Sequence, residues 1–216
     1  MVVAVDGPAG VGKSTVARAV AAALGAPYLD TGAFYRAVTL AVVRSGVDPA
    51  DAAAVLAVAA ATDLDFAGGV MLLDGEPVTE AVRAPEVVTL VSAVSAFPEV
   101  RRVVVQQQRA WVERRGGRAV VEGRDIGTVV FPEAPVKVYL TADAAERARR
   151  RAGDAEAAGQ SVEAIERQLR ARDHADSTRE ASPLRPADDA VTIDTSALTL
   201  EQVVRIVMGL VAEAEG

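Results

Sequence analysis

The segment Gly7-Pro8-Ala9-Gly10-Val11-Gly12-Lys13-Ser14 constrains this chain more than any other, because it stands between an apolar run, Val2–Asp6, and a stretch with helical spacing. Val16, Val20 and Leu24 recur one helical turn apart and Gly25 stands where a helix would stop, so the order is strand, glycine loop, helix. This is a complete Walker A loop in the setting that motif requires. Glycines let such a loop wind with its amide hydrogens inward, and the helix N-terminus adds partial positive charge, so phosphate is held mainly by backbone. The candidate ATP-binding residues are therefore Gly7, Pro8, Ala9, Gly10, Val11, Gly12, Lys13, Ser14 and Thr15. Lys13 is expected to bridge the β- and γ-phosphates as a catalytic residue, and the Ser14 hydroxyl to help hold Mg²⁺ as the one candidate metal ligand. The bland alternative is a glycine turn that happens to contain Lys and Ser. Lysine occurs only at positions 13 and 137, which weighs against that coincidence.

Further apolar runs at Tyr28–Leu29, Ala119–Glu122, Val136–Leu140 and Ala190–Asp194 alternate with helical patterns. That rhythm predicts an α/β fold in three layers, with a central parallel sheet of about five strands. Two stretches break it. Around Phe66–Val78, Gly68-Gly69 and Asp74-Gly75 flank a short apolar run, which predicts small antiparallel strands. From Arg147 to about Arg172 the chain is charged and poor in large apolar side chains, as a mobile helical flap would be. The expectation is one domain over 1–216 carrying two insertions.

Half of the 216 residues are hydrophobic and a quarter charged, the make-up of a globular protein that can bury roughly 70% of its unfolded surface. There is no cysteine, which excludes disulfides, thiolate metal sites and cysteine nucleophiles. A net charge of -7 disfavours nucleic acid or an anionic membrane as the main partner. The N-terminal residues run into the glycine turn with no basic leader ahead of an apolar stretch, so a cytoplasmic protein is expected.

Three segments place polar side chains where core packing would not ask for them. Asp30-Thr31-Gly32-Ala33-Phe34-Tyr35-Arg36 begins where the second strand ends, with Thr31 as a candidate helix cap. Glu122-Gly123-Arg124-Asp125-Ile126-Gly127-Thr128 follows the third run of the core in the same way. These are the strand ends at which open α/β sheets bind ligands. In Arg172-Asp173-His174-Ala175-Asp176-Ser177-Thr178-Arg179, positions 172, 176 and 179 share a helical face.

Together with Gly-Arg-Asp-Ile-Gly-Thr-Val-Val-Phe-Pro from Gly123, Ala-Phe-Pro-Glu-Val-Arg ending at Arg101, and the tail from Arg172 to Leu184, these segments resemble the bacterial cytidylate kinases of the P-loop nucleoside monophosphate kinase superfamily. The resemblance runs nearly end to end. It implies transfer of the γ-phosphate of ATP to CMP, and to dCMP as well, with Mg²⁺ as cofactor. It implies that Thr31, Arg101 and Asp125 read the cytosine, that Ser92, Arg172 and Asp176 meet the ribose, and that Arg36, Arg124 and Arg179 bind the acceptor phosphate. Residues 31–83 become a monophosphate-binding subdomain and 147–172 a closing lid. Thr31 stands where much of the family has serine, and Ala175 where arginine can stand. Residue types agree with this reading, since a carboxylate and a guanidinium complement the exocyclic amine and ring acceptors of cytosine, while uracil would leave the carboxylate unpaired.

An acceptor phosphate oxygen is already anionic near neutral pH and needs no general base, so the catalytic work falls to Lys13, Arg124, Arg179 and Mg²⁺ as positioning and charge neutralisation. The lid candidates are Arg147, Arg149, Arg150 and Arg151, for which a solvated helix paired with Glu146 and Asp154 is the alternative. His174, the single histidine, reads as surface, and Trp111 and Phe97 as core anchors. A monomer with small-molecule nucleotides as its partners is expected, because lid motion needs free surface. Two other functions remain open: a P-loop kinase acting on a hydroxyl, as shikimate kinases do, with Asp125 as base, and an ATP-driven regulator whose output is a partner interaction. A guanine switch normally carries Asn-Lys-x-Asp, and the chain has no asparagine.

Overall fold

The strand β1 (Val2–Asp6) is buried at every residue, which is what a near-continuous apolar sequence becomes when both faces of a sheet are covered. The computed structural model describes residues 1–153 and 159–216. β1 pairs in parallel with β6 (Ala119–Glu122) and with β7 (Val136–Thr141), and β7 pairs in parallel with β8 (Val191–Asp194). With β2 (Tyr28–Asp30) at the edge, the five-stranded order is β2-β6-β1-β7-β8. These are the five apolar runs of the sequence, and the parallel α/β architecture is the expected one.

The chain divides into two compact units. The first comprises Met1–Tyr28 and Gly117–Gly216, the second Leu29–Gly116. In the first unit, α1 (Lys13–Leu24) and α8 (Leu200–Glu215) lay Val16, Val20, Val203, Val207 and Val211 on Val3, Val5, Val120, Val138 and Leu140. Each helix buries one stripe, as its helical spacing dictates. α8 starts at a capping box in which Thr199 and Gln202 satisfy each other's backbone amides. The charged stretch after β7 forms α6 (Ala144–Ala152) and α7 (Val162–Thr178), where Ala148, Ile165 and Leu169 make a small apolar cluster joined by Ala9. Asp154, an expected partner of the lid arginines, lies outside the described residues.

The second unit contains α2 (Thr31–Ser45), α3 (Ala52–Ala61), α4 (Pro85–Val94), α5 (Pro98–Glu113) and an antiparallel sheet of β3 (Leu64–Ala67), β4 (Val70–Leu73) and β5 (Glu76–Pro77). The period-2 pattern buries Leu64, Phe66, Met71 and Leu73 on one face. Asp74 and Gly75, both at positive φ, turn β4 into β5, as the Asp-Gly pair predicts. Trp111 is buried and donates its indole N–H to the carbonyl of Phe66 at 2.9 Å, while Phe97 is half-buried at the start of α5. Among the described residues no helix is long and apolar enough to cross a membrane.

Candidate active site

β1 ends at Asp6 and the glycine loop carries the chain into α1. Gly7 has a φ of 145°, and a Cβ there would run into the carbonyl oxygen of Leu140 on β7, so dihedral and close approach both require glycine. The residue capping α1 is Gly12, which offers its amides no side-chain acceptor. Ser14 and Thr15 stand exposed in the first turn. A helix start left in this state is suited to an anion.

Lys13 is buried and its ammonium donates to the carbonyl of Pro8 at 2.6 Å. Burial, with the charge of Arg124 and less strongly that of Arg172, pushes its pKa down to about 7, against the opposing charges of Glu122 and Asp6. An ammonium in this position gains from any anion brought into the loop.

The turn after β6 adds a chain of charge. Arg124 donates from Nε to Asp176 at 2.9 Å and from Nη1 to the carbonyl of Gly7 at 3.2 Å. The other oxygen of Asp176 accepts from Nη1 of Arg179 at 3.5 Å. Arg179 also donates from Nε to the carbonyl of Ser182 at 2.6 Å, and its Nη2 stands 4.0 Å from the carboxylate of buried Asp125. Asp125, Arg179, Asp176, Arg124 and the first glycine of the loop are thus linked in sequence. Arg179 follows the end of α7 in an extended conformation, so it does not share a helical face with Arg172 and Asp176. The Ser177 and Thr178 hydroxyls both donate to the carbonyl of His174, competing with the backbone where the helix stops. His174 itself is exposed.

The lid arginines divide. Buried Arg147 donates to the carbonyl of Ala9 at 3.1 Å and to Asp173, whose second oxygen accepts from the Ala9 amide at 3.3 Å. Arg150 reaches the carbonyl of Val11 at 3.4 Å and the hydroxyl and carbonyl of Thr195 at 3.0 and 2.7 Å. Arg149 is exposed beside Glu146, which Arg150 also contacts at 2.8 Å, and Arg151 is half-buried at the end of α6. Arg147 and Arg150 therefore grip the main chain of the phosphate loop.

In the second unit α2 is capped by Asp30, whose carboxylate accepts from the Ala33 amide at 3.1 Å. The expected cap, Thr31, is instead the first helical residue and is buried, because the aspartate one position earlier is the stronger acceptor and holds the extended conformation a cap needs. Asp30 also holds Arg36 at 2.7 Å. The guanidinium groups of Arg36 and Arg83 keep its carboxyl below the usual carboxylate range despite its burial. Arg101 is buried, donates to the carbonyl of Ser95 at 3.2 Å and lies 5.0 Å from the centre of the Tyr35 ring, a cation–π distance. Ser92 is exposed on α4.

A model of the family described as "Cytidylate kinase" matches residues 3–213. The chain belongs to the cytidylate kinase family. It is 50% identical over 222 residues to a cytidylate kinase of Rhodococcus opacus, covering 100% of this chain and 96% of that protein. It is 52% identical over 219 residues to a cytidylate kinase of Mycobacterium avium, covering 99% and 96%. Among solved structures, an uncharacterized protein from Eubacterium ventriosum has the same fold, with a TM-score of 0.54 at 10% identity over 99% of this chain and 98% of that one. Membership of the cytidylate kinase family makes the chain an ATP-dependent phosphotransferase.

Of the predicted site residues, the first unit brings together Lys13, Arg124, Asp125, Asp176 and Arg179, with Arg172 near enough to act on Lys13. Thr31, Arg36, Ser92 and Arg101 lie in the second. Four acids, Asp6, Asp30, Glu122 and Asp173, were not among the candidates, although they position or tune residues that were. Asp30 had a signal, being a short acid directly before a helical pattern.

Among the described residues no cluster of three or more His, Cys, Asp or Glu side chains is placed to hold a metal. The donor at the loop is the exposed Ser14 hydroxyl, which suits Mg²⁺, an ion that takes few protein ligands and shares substrate phosphates.

Proposed function

We propose that this cytidylate kinase family member transfers the terminal phosphate of ATP to the phosphate of CMP, and also to that of dCMP, releasing ADP and the nucleoside diphosphate. The observation that carries the reading is the chain of charge from Asp125 through Arg179, Asp176 and Arg124 to the carbonyl of Gly7, which puts two carboxylates and two guanidinium groups beside the donor loop.

In this reading residues 7–15 hold ATP, and Lys13 follows charge onto the transferring group. Mg²⁺ would be held by Ser14 and the nucleotide phosphates, and would neutralise developing charge. Arg36, Arg124 and Arg179 bind the acceptor phosphate in forked hydrogen bonds. Thr31, Arg101 and Asp125 read the cytosine, and Ser92, Arg172 and Asp176 the ribose. No side chain needs to remove a proton, since the attacking oxygen is already ionised, and catalysis is positioning plus charge stabilisation. Residues 31–83 serve as the monophosphate-binding insert and 147–172 as a lid whose closure excludes water from the transfer, with Arg147, Arg149, Arg150 and Arg151 as its candidates for neutralising charge. The protein works as a monomer.

A coupled assay of ATP against each nucleoside monophosphate tests this reading. Turnover highest with CMP and dCMP is expected; equal rates with UMP and AMP, or transfer only to a hydroxylated acid, would overturn it.

A further inference from the structure

The Asp125 turn is held from below by a residue outside the reading above. Asp6 ends β1, whose register with β6 and β7 on either side fixes its place. Both of its carboxylate oxygens are taken by the turn after β6. Oδ1 accepts from the Ile126 amide at 2.8 Å and Oδ2 from the Gly127 amide at 2.7 Å. Those amides open the short helical turn Ile126–Val130, to which Asp125 is the preceding residue. One carboxylate thus satisfies two adjacent backbone donors that follow the base-reading side chain directly, a geometry that fixes the peptide planes there.

The turn is braced from its other side as well. A Cβ on Gly127 would stand 3.1 and 3.2 Å from Cδ and Cγ of Lys137 and 3.5 Å from Oδ2 of Asp6. The ammonium of Lys137 is itself tied to the carbonyl of Pro132 and, at 2.7 and 2.9 Å, to the carboxylate of Asp189. Gly127 is therefore closely packed against the Lys137 stem and in contact with the Asp6 carboxylate, so a side chain there would press on the turn. The charged and titratable groups facing Asp6 are Lys13 from α1, Asp125 from the turn and Tyr139 from β7. Burial pushes the Asp6 carboxyl up to about 6 against the two amide bonds, so ionised Asp6 is a costly arrangement that positioning would explain.

We propose that Asp6 is a positioning residue for acceptor recognition: its carboxylate, with Lys137 opposite, fixes the Asp125–Gly127 backbone and so sets where the Asp125 side chain points. The inference rests on the assignment of Asp125 to the base. Asp6 also acts by charge on Lys13, so its effect on the turn is separated from that one by Gly127→Ala, which disturbs the turn and leaves the acid in place.

The test compares Asp6→Asn, Gly127→Ala and Asp125→Ala in steady-state assays that vary CMP, UMP and ATP separately, with thermal melting as a check on folding. Asn at position 6 keeps the shape but turns one acceptor into a donor facing an amide N–H. Gly127→Ala presses on the same turn without altering the acid. Both are expected to raise KM for CMP by about tenfold and to narrow the CMP-over-UMP preference, with KM for ATP within about twofold, since small misplacements of a recognition group cost that much. If Asp125→Ala erodes the preference and the other two variants keep it, the inference fails while the reading of Asp125 stands. If KM for ATP rises in step with KM for CMP, Asp6 serves the fold of the donor loop and the inference fails. If Asp125→Ala leaves the preference intact, the parent reading falls and the inference with it. Should Asp6→Asn not fold, Gly127→Ala alone decides in the same terms.

Discussion

Arg124 donates its Nε to one carboxylate oxygen of Asp176 at 2.9 Å while the second oxygen takes Arg179. One acid thereby aligns two guanidinium groups and faces both away from random rotamers. Arg124 and Asp176 are each largely buried, with side-chain exposures of 18% and 13%, so the pair is screened less than a surface pair would be.

Asp176→Ala should therefore loosen both arginines at once. The expected result is a rise of about tenfold or more in KM for CMP with a smaller change for ATP, and a fall in stability on the order of 3 kcal/mol, the cost of removing one partner of a buried pair. Steady-state kinetics and urea unfolding measure the two effects.

Lys13→Met should cut kcat for every acceptor by about 10³-fold, because a group aimed at developing charge acts mainly in the transition state. A panel of monophosphates shows whether the loss is uniform. A loss confined to CMP would contradict the role given to Lys13.

Gly7→Ala should destabilise the fold, since its Cβ would meet the Leu140 carbonyl and its φ of 145° suits glycine. A loss of about 2 kcal/mol or more is expected, read as a lowered Tm, together with loss of ATP binding.

The Asp6 carboxyl, pushed up to about 6 by burial, gives a pH dependence of definite sign. Below about pH 4 it is protonated folded or unfolded; between about pH 4 and 6 the folded chain binds more protons, so stability contributed by this group falls as pH rises. The loss saturates above about pH 6 at on the order of 3 kcal/mol. Asp6→Asn abolishes that slope, so the stability of wild type minus variant should decline from pH 4 to 7. Urea melts at several pH values would show it; a difference that grows with pH would contradict the shift.

Much of this was legible in the residues. The five runs that became the parallel sheet are short and apolar, four of them with β-branched residues and the Tyr28 run with an aromatic one, and the Asp74-Gly75 turn carries its own signal. The glycine loop is likewise local information. Asp6 and Asp173 were not visible as parts of the site, because their partners, Ile126, Gly127, Ala9 and Arg147, are distant in sequence and three of the four contacts are to backbone amides. Thr31 misled for a local reason: Asp30 and Thr31 are both good caps, and one residue of register decides between them.

The central claim is that phosphate moves from ATP to CMP and not to water. Phosphorus NMR of the protein with Mg²⁺, ATP and CMP tests it most directly. The account predicts a CDP β-phosphate signal growing in equal amount with ADP; ADP accompanied by inorganic phosphate, with CMP unchanged, would contradict it.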